Sequence, residues 1–174
     1  MSTLRRGGKE LLKNRYALSL LIAVIVFTLD QISKSLVREL LPLNHSLVVV
    51  QGFLNLVHIQ NPGMIFGIFS QSTYTLKSYL LIIVSLAAIT FLFFLLRSLK
   101  EKNLFLTIAL SLTLGGAIGN LVDRIVLGKV VDFIDVYWST YHWPAFNVAD
   151  SAISVGMVIL VIQVLRDENN APSK

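Results

Sequence analysis

The sequence predicts an all-α membrane protein, a bundle of four transmembrane helices with a small outward-facing interfacial cap. Three observations carry that prediction. Composition is the first: 55% of the 174 residues are hydrophobic and only 14% are charged, and the mean hydropathy is +0.72. A water-soluble domain of this length could not cover so much apolar surface. Length is the second, because four apolar runs reach the roughly 20 residues that a helix needs to cross about 30 Å of hydrocarbon. The third is charge placement, with most bases on one side of these runs and most acids on the other.

Residues 1–174 are read as a single integral membrane domain. Residues 1–15 form a basic, polar tail to which no fold is assigned. The first membrane helix covers about 16–37. Its start imitates a secretory signal, with a basic stretch before an apolar one from Tyr16 to Leu29. No small-residue cleavage site follows, and the helical pattern continues through Asp30 and Lys34, so the segment is expected to remain as an anchor. The other helices are placed at about 76–96, 104–122 and 145–165, and the tail from Asp167 to Lys174 is expected to fray.

Orientation follows from the bases, since cytoplasmic loops are enriched in Lys and Arg. With the amino terminus inside, ten of the 15 basic residues become cytoplasmic: Arg5, Arg6, Lys9, Lys13, Arg15, Arg97, Lys100, Lys102, Arg166 and Lys174. Both termini and the 97–103 loop are therefore read as cytoplasmic, and segments 38–75 and 123–144 as outward-facing. Leu47 to Ile59 is rich in β-branched and aromatic residues and is interrupted at Gly52, which predicts two short strands on the bilayer surface. Val130 to Val136 predicts a third extended piece. Tyr137, Trp138, Tyr141, His142 and Trp143 follow, rings that favour the membrane interface. The net charge of +5 is accounted for by this topology, so no nucleic-acid partner is expected. The absence of cysteine excludes disulfides, thiolate metal sites and a cysteine nucleophile.

Of the Asp residues, Asp30, Asp123, Asp132, Asp135 and Asp150 fall at or beyond the outer ends of the helices, and only Asp167 lies inside. A carboxylate at the edge of a membrane helix is costly unless it faces protein or water, which makes each a candidate functional group. Asp132, in GKVVDFID (128–135), and Asp150, in FNVADSAIS (146–154), border apolar runs and are read as a pair. Asp30 and Lys34 are four apart, so they share a helix face and are expected to form an ion pair. Asn120, Asp123 and Arg124 converge on one face at the end of the third helix, after Gly115, Gly116 and Gly119, which permit close helix approach. Asn147 precedes Asp150 by three residues and is placed to cap the fourth helix. Asp135 is read as solvated or part of the cap, and His142 as an interfacial side chain. No HExxH pair and no GxSxG elbow occurs, so zinc and serine protease chemistry are not predicted, and no metal or cofactor is implied. A non-enzymatic proton relay would spread ionisable groups through the bilayer, whereas the second, third and fourth helices have apolar middles.

Five blocks, DQISK (30–34), NPGMIFG (61–67), GGAIGNLVDR (115–124), GKVVDFID and FNVADS (146–151), closely resemble the signatures of lipoprotein signal peptidase, the type II signal peptidase of bacteria. The resemblance runs from the first helix to the fourth. It implies a four-helix membrane bundle with a small outward β-cradle and an aspartic protease of the inner membrane, active at the outer face as a monomer. By similarity Asp132 and Asp150 are the catalytic dyad. Asp30 and Lys34 match the family's first-helix acid and base, and Asn61 and Gly63 match a cradle motif close to the substrate. Asn120, Asp123 and Arg124 match a block that buttresses the dyad and contacts the substrate backbone, and Asn147 matches the polar neighbour of the second acid. The implied partners are membrane lipid and a prolipoprotein carrying a diacylglyceryl group on the cysteine after the cut. Pro62, Met64 and Ile65 depart from the smaller residues expected in the cradle motif, a difference that bears on the shape of the substrate pocket.

Overall fold

A computed structural model describes residues 15–63, 74–99 and 103–169. The expectations for the basic residues 1–14, for Met64 and Ile65, for the loop bases at 100 and 102 and for residues 170–174 fall outside the described residues. In chain order the elements are α1 (Arg15–Leu40), β1 (Ser46–Val50), β2 (Leu54–Asn61), α2 (Tyr74–Ser98), α3 (Leu104–Leu127), β3 (Val130–Trp138), β4 (Tyr141–His142) and α4 (Val148–Asn169). Four apolar helices and a small antiparallel sheet thus make up the fold, and each helix is long and apolar enough to cross a membrane.

α3 is the central and most buried helix, packed against α1, α2 and α4. Asn103 starts it, its side chain accepting the Leu106 N–H at 3.1 Å, and Gly128 ends it at φ +71°, donating its N–H to Arg124 O at 3.1 Å. These are the ordinary N-cap and left-handed C-cap solutions for orphan backbone groups. Its glycines let neighbouring backbones touch: a Cβ on Gly115 would come within 2.8 Å of Ala23 O in α1, and one on Gly116 would strike the Ala149 carbonyl of α4. Small residues achieve in lipid the close packing that water-driven collapse achieves elsewhere. Away from the sheet, the α1–α3 seam is polar but uncharged, with Ser111 Oγ and Ser19 Oγ hydrogen-bonded at 2.7 Å. α2 packs mainly on α3, through Leu92, Leu96 and Leu110.

The strands follow in the spatial order β1-β2-β3-β4, all antiparallel. The β2–β3 pairing sets Ile59 opposite Asp132 and Asn61 opposite Val130, so the end of β2 lies beside the start of β3. Phe146 bridges to Ile134, which draws the start of α4 to the same place.

Helix boundaries differ from the sequence reading by a few residues, α1 reaching Leu40 rather than 37 and α2 spanning Tyr74–Ser98 rather than 76–96. α3 continues to Leu127 rather than 122, because nothing interrupts its helical pattern before Gly128, and its last turns carry Asp123 and Arg124 on the face shared with Asn120. α4 begins at Val148 rather than Ala145, because Phe146 N–H donates to Ile134 O at 3.0 Å and Phe146 O accepts from Ile134 N–H at 2.8 Å, holding the backbone extended. At its far end α4 runs to Asn169, three residues into the stretch expected to fray.

Candidate active site

The sheet end of the bundle holds a buried ionic cluster. Lys34 Nζ, on α1, reaches Asp30 Oδ2 at 2.8 Å, Asp123 Oδ2 at 3.0 Å and Asn120 Oδ1 at 2.9 Å. An ammonium has three protons, and each finds an acceptor. Asp30 is 0% and Lys34 1% exposed. Such burial is tolerated only where every charge is paired and hydrogen-bonded. Asp30 Oδ1 also accepts the Ala149 N–H of α4 at 2.9 Å, and Asp123 Oδ2 accepts the Val131 N–H of β3 at 3.1 Å. The cluster thus ties α1, α3, α4 and β3 together. Gly119 leaves room for it, since a Cβ there would sit 2.5 Å from Asp30 Oδ2.

The two aspartates read as a pair lie directly above, brought together by three asparagines. Asp132, on β3, is 2% exposed and accepts from Asn61 Nδ2 at 2.9 Å and from Asn147 Nδ2 at 2.7 Å. Asp150, in the first turn of α4 and partly exposed, accepts from Asn120 Nδ2 at 2.7 Å. Asn147 is the N-cap of α4: its Oδ1 accepts the Asp150 N–H at 2.9 Å, and its own N–H points back to Asp150 Oδ2 at 3.3 Å. This reciprocal arrangement is a capping box with aspartate in the third position. Burial pushes the Asp132 carboxyl up to about 6; the Asn61 hydrogen bond opposes that shift and the nearby Asp150 charge reinforces it.

Arg124 donates from Nη1 to Asn120 O at 3.1 Å, and its Nε is a buried donor without a partner among the described residues. Its charge lies within electrostatic reach of Asp150, Asp123 and Asp132. Gly63 takes φ +77° and donates its N–H to Asn61 Oδ1 at 2.8 Å, which aims the Asn61 amide at Asp132. All ten residues singled out from the sequence, Asp30, Lys34, Asn61, Gly63, Asn120, Asp123, Arg124, Asp132, Asn147 and Asp150, therefore gather at one end of the bundle.

One feature escaped the sequence reading. Gln31 Nε2 bridges Asp30 Oδ2 at 3.1 Å, Asp123 Oδ1 at 3.1 Å and Gly119 O at 3.2 Å. Its position beside Asp30 was the only available signal. Of the two readings of Asp135, solvated or part of the cap, the second holds: it is 8% exposed, and it accepts from Asn55 Nδ2 at 2.9 Å and pairs with His142 Nδ1 at 2.9 Å. It belongs to the sheet, and none of its hydrogen bonds reaches the Asp132 and Asp150 pair.

Comparisons with known proteins agree on one family. The profile of the family described as signal peptidase (SPase) II matches residues 22–166. A lipoprotein signal peptidase of Syntrophotalea carbinolica is 44% identical over 88% of this chain and 94% of its own length. One from Geobacter metallireducens is 40% identical over 90% and 96%. A solved structure titled as a bacterial membrane enzyme, determined by the in meso method at 2.3 Å, superposes with a TM-score of 0.79 at 35% identity, covering 90% of this chain and 92% of that one. The chain belongs to the signal peptidase II family.

Proposed function

We propose that this protein is a membrane-embedded aspartic endopeptidase that removes the signal peptide from diacylglyceryl-modified prolipoproteins, cutting just before the lipidated cysteine. The observation that carries this reading is the grip of a single residue, Asn147, on both carboxylates, at 2.7 Å to Asp132 and 3.3 Å to Asp150. Two carboxylates held this closely cannot both ionise cheaply, so the pair shares one proton and titrates as a unit. The ionised member takes a proton from a water that attacks the scissile carbonyl. The protonated member polarises the carbonyl oxygen, and the leaving amine is protonated as the bond breaks.

Asp30, Lys34 and Asp123 act in this account as a rigid foundation, and Asn61, Asn120 and Asn147 as positioning residues. Gly63 allows the turn that orients Asn61, and Arg124 brings its buried donor toward the substrate backbone. The active site lies at the outer face of the bacterial inner membrane, with both termini in the cytoplasm and the sheet as an outward cradle. A signal peptide's apolar segment spans the bilayer and emerges at that level. The diacylglyceryl chains hold the cleavage site there, since each buried methylene contributes about 0.8 kcal/mol. One chain carries every group the chemistry needs, so a monomer suffices. Crowding of Asp30, Asp123, Asp132 and Asp150 at the sheet end, with neutral Ser19 and Ser111 in the α1–α3 seam, disfavours a transmembrane proton relay.

The test is purified protein in detergent mixed with the diacylglyceryl-modified precursor or with the same precursor unlipidated, read by gel shift. Cleavage of the lipidated form alone is expected. A lipidated precursor left intact by folded protein, or equal cleavage of both forms, would overturn the substrate assignment.

A further inference from the structure

α1 and α2 both pack on α3 and leave a groove between them at the end of the bundle away from the sheet. Its cavity of about 300 Å³ has Ser19, Ala23 and Leu96 on a buried floor and Leu20, Val24 and Phe93 on an exposed rim. The lining is apolar apart from Tyr16 and Ser19, and the Ser19 hydroxyl is already hydrogen-bonded to Ser111 at 2.7 Å. Along α1 the groove runs from Tyr16 to Phe27, ~16 Å at the helical rise, and stops about one turn short of Asp30. That is about half of the ~30 Å hydrocarbon core, the depth of one leaflet. The mouth is basic. Arg15 donates to the carbonyl oxygens of Leu99 and, at 3.4 Å, Arg97 at the end of α2, and to the Tyr16 hydroxyl at 2.9 Å. Its guanidinium also lies 4.8 Å from the centre of the Tyr16 ring, a ring type that settles at headgroup depth. Arg97 directly follows the floor residue Leu96, so two bases share this end of the groove. Among the described residues no acid lines it or stands in the first turn of α1.

We propose that this groove holds one acyl chain of an anionic phospholipid, with the lipid phosphate at Arg15 and Arg97. It sits in the leaflet away from the sheet, the inner one in the orientation proposed above. The apolar lining would accept the chain of any lipid, so the charge at the mouth is what selects the headgroup. A guanidinium presents paired N–H donors that match phosphate oxygens, and basic pockets between membrane helices favour anionic headgroups. The competing occupant is the apolar segment of a signal peptide. Length disfavours it, because a spanning helix needs roughly 20 residues and the whole hydrocarbon thickness, about twice what the groove offers. Charge disfavours it too, because the basic stretch that leads a signal peptide would meet Arg15 and Arg97 as like charges. A bound chain fills the space between α1 and α2 at the end where Arg15 bridges them, and so completes the packing of two helices that share only α3 as a support.

The experiment uses the full chain in detergent micelles, with Phe93→Trp as a fluorescent reporter on the rim and with Trp138→Phe and Trp143→Phe removing both native tryptophans. Phosphatidylglycerol or phosphatidylcholine, brominated on the acyl chains, is titrated in and quenching is read. The anionic lipid is expected to reach half-quenching at a mole fraction at least about fivefold lower than the zwitterionic one. Adding Arg15→Gln and Arg97→Gln is expected to erase that preference. If the arginine variant fails to fold, the reporter protein in ~1 M salt, where the Debye length is about 3 Å, is expected to lose most of the preference as well. Equal quenching by the two lipids, or a preference that outlasts the arginines or the salt, overturns the proposal. So does displacement of the brominated anionic lipid by unlabelled precursor, which would give the groove to the signal peptide. No cleavage is read, so the outcome stands apart from the protease reading.

Discussion

Asn147 and Asp132 are joined by a 2.7 Å hydrogen bond from the asparagine Nδ2 to Asp132 Oδ1, and the same asparagine caps the helix that carries Asp150. One side chain thus serves both the fold and the site, and the two duties separate by substitution. Asn147→Ala removes both, and is expected to destabilise by about 1–2 kcal/mol through the lost cap and to lower cleavage at least about tenfold. Asn147→Ser retains a capping oxygen but offers no amide to Asp132. Its melting temperature is expected above that of Asn147→Ala with activity still lost; recovery of activity along with stability would mean that the amide has no role at Asp132.

Lys34 is the only base that Asp30 and Asp123 contact among the described residues. Lys34→Met keeps much of the side-chain volume and leaves two buried carboxylates unpaired. A loss of about 3–5 kcal/mol is expected, seen as a large drop in the thermal midpoint in detergent and poor accumulation in membranes. A midpoint within a few degrees of wild type would show that the cluster does not support the bundle.

Asp135 tests which acids matter. Its partners are Asn55 and His142, the latter stacked on Tyr137 with ring centres 5.0 Å apart. Asp135→Asn is expected to keep most cleavage activity while losing about 1–2 kcal/mol through the weaker bond to His142. A folded but inactive variant would place the chemistry on the wrong aspartate.

The raised Asp132 carboxyl predicts a pH dependence of stability. Its folded value of about 6 lies above the ordinary 3.8, so between those values the native protein holds a proton that the unfolded chain has released. Stability from this group is complete below about pH 4 and is lost as pH rises through 6, by ~3 kcal/mol. Thermal midpoints measured from pH 4 to 8 should fall across that window in wild type and fall less in Asp132→Asn. Parallel curves would contradict the shift.

Much of this arrangement was legible in the sequence for identifiable reasons. Helices declared themselves by apolar length, and Asp30 with Lys34 by the spacing that sets two side chains on one helix face. The strand pair around Gly52 followed from β-branched runs and a turn residue that takes φ +79°. Contacts made through tertiary pairing were not legible. Nothing local says that Lys34 also meets Asp123, that Gln31 crosses from α1 to α3, or that backbone N–H groups of Ala149 and Val131 close the cluster. The start of α4 was misplaced for the same reason, because a bridge to Ile134 outweighs the local preference around Ala145.

The most direct measurement is cleavage of the diacylglyceryl-modified precursor by purified Asp132→Asn and Asp150→Asn, each first shown to be folded and inserted. Positioned acids and bases each contribute roughly 10²–10⁴-fold, and members of a pair that shares one proton fail together. Each variant is expected to lose at least about 10³-fold in kcat. Turnover by either one within about tenfold of wild type would contradict the two-aspartate mechanism.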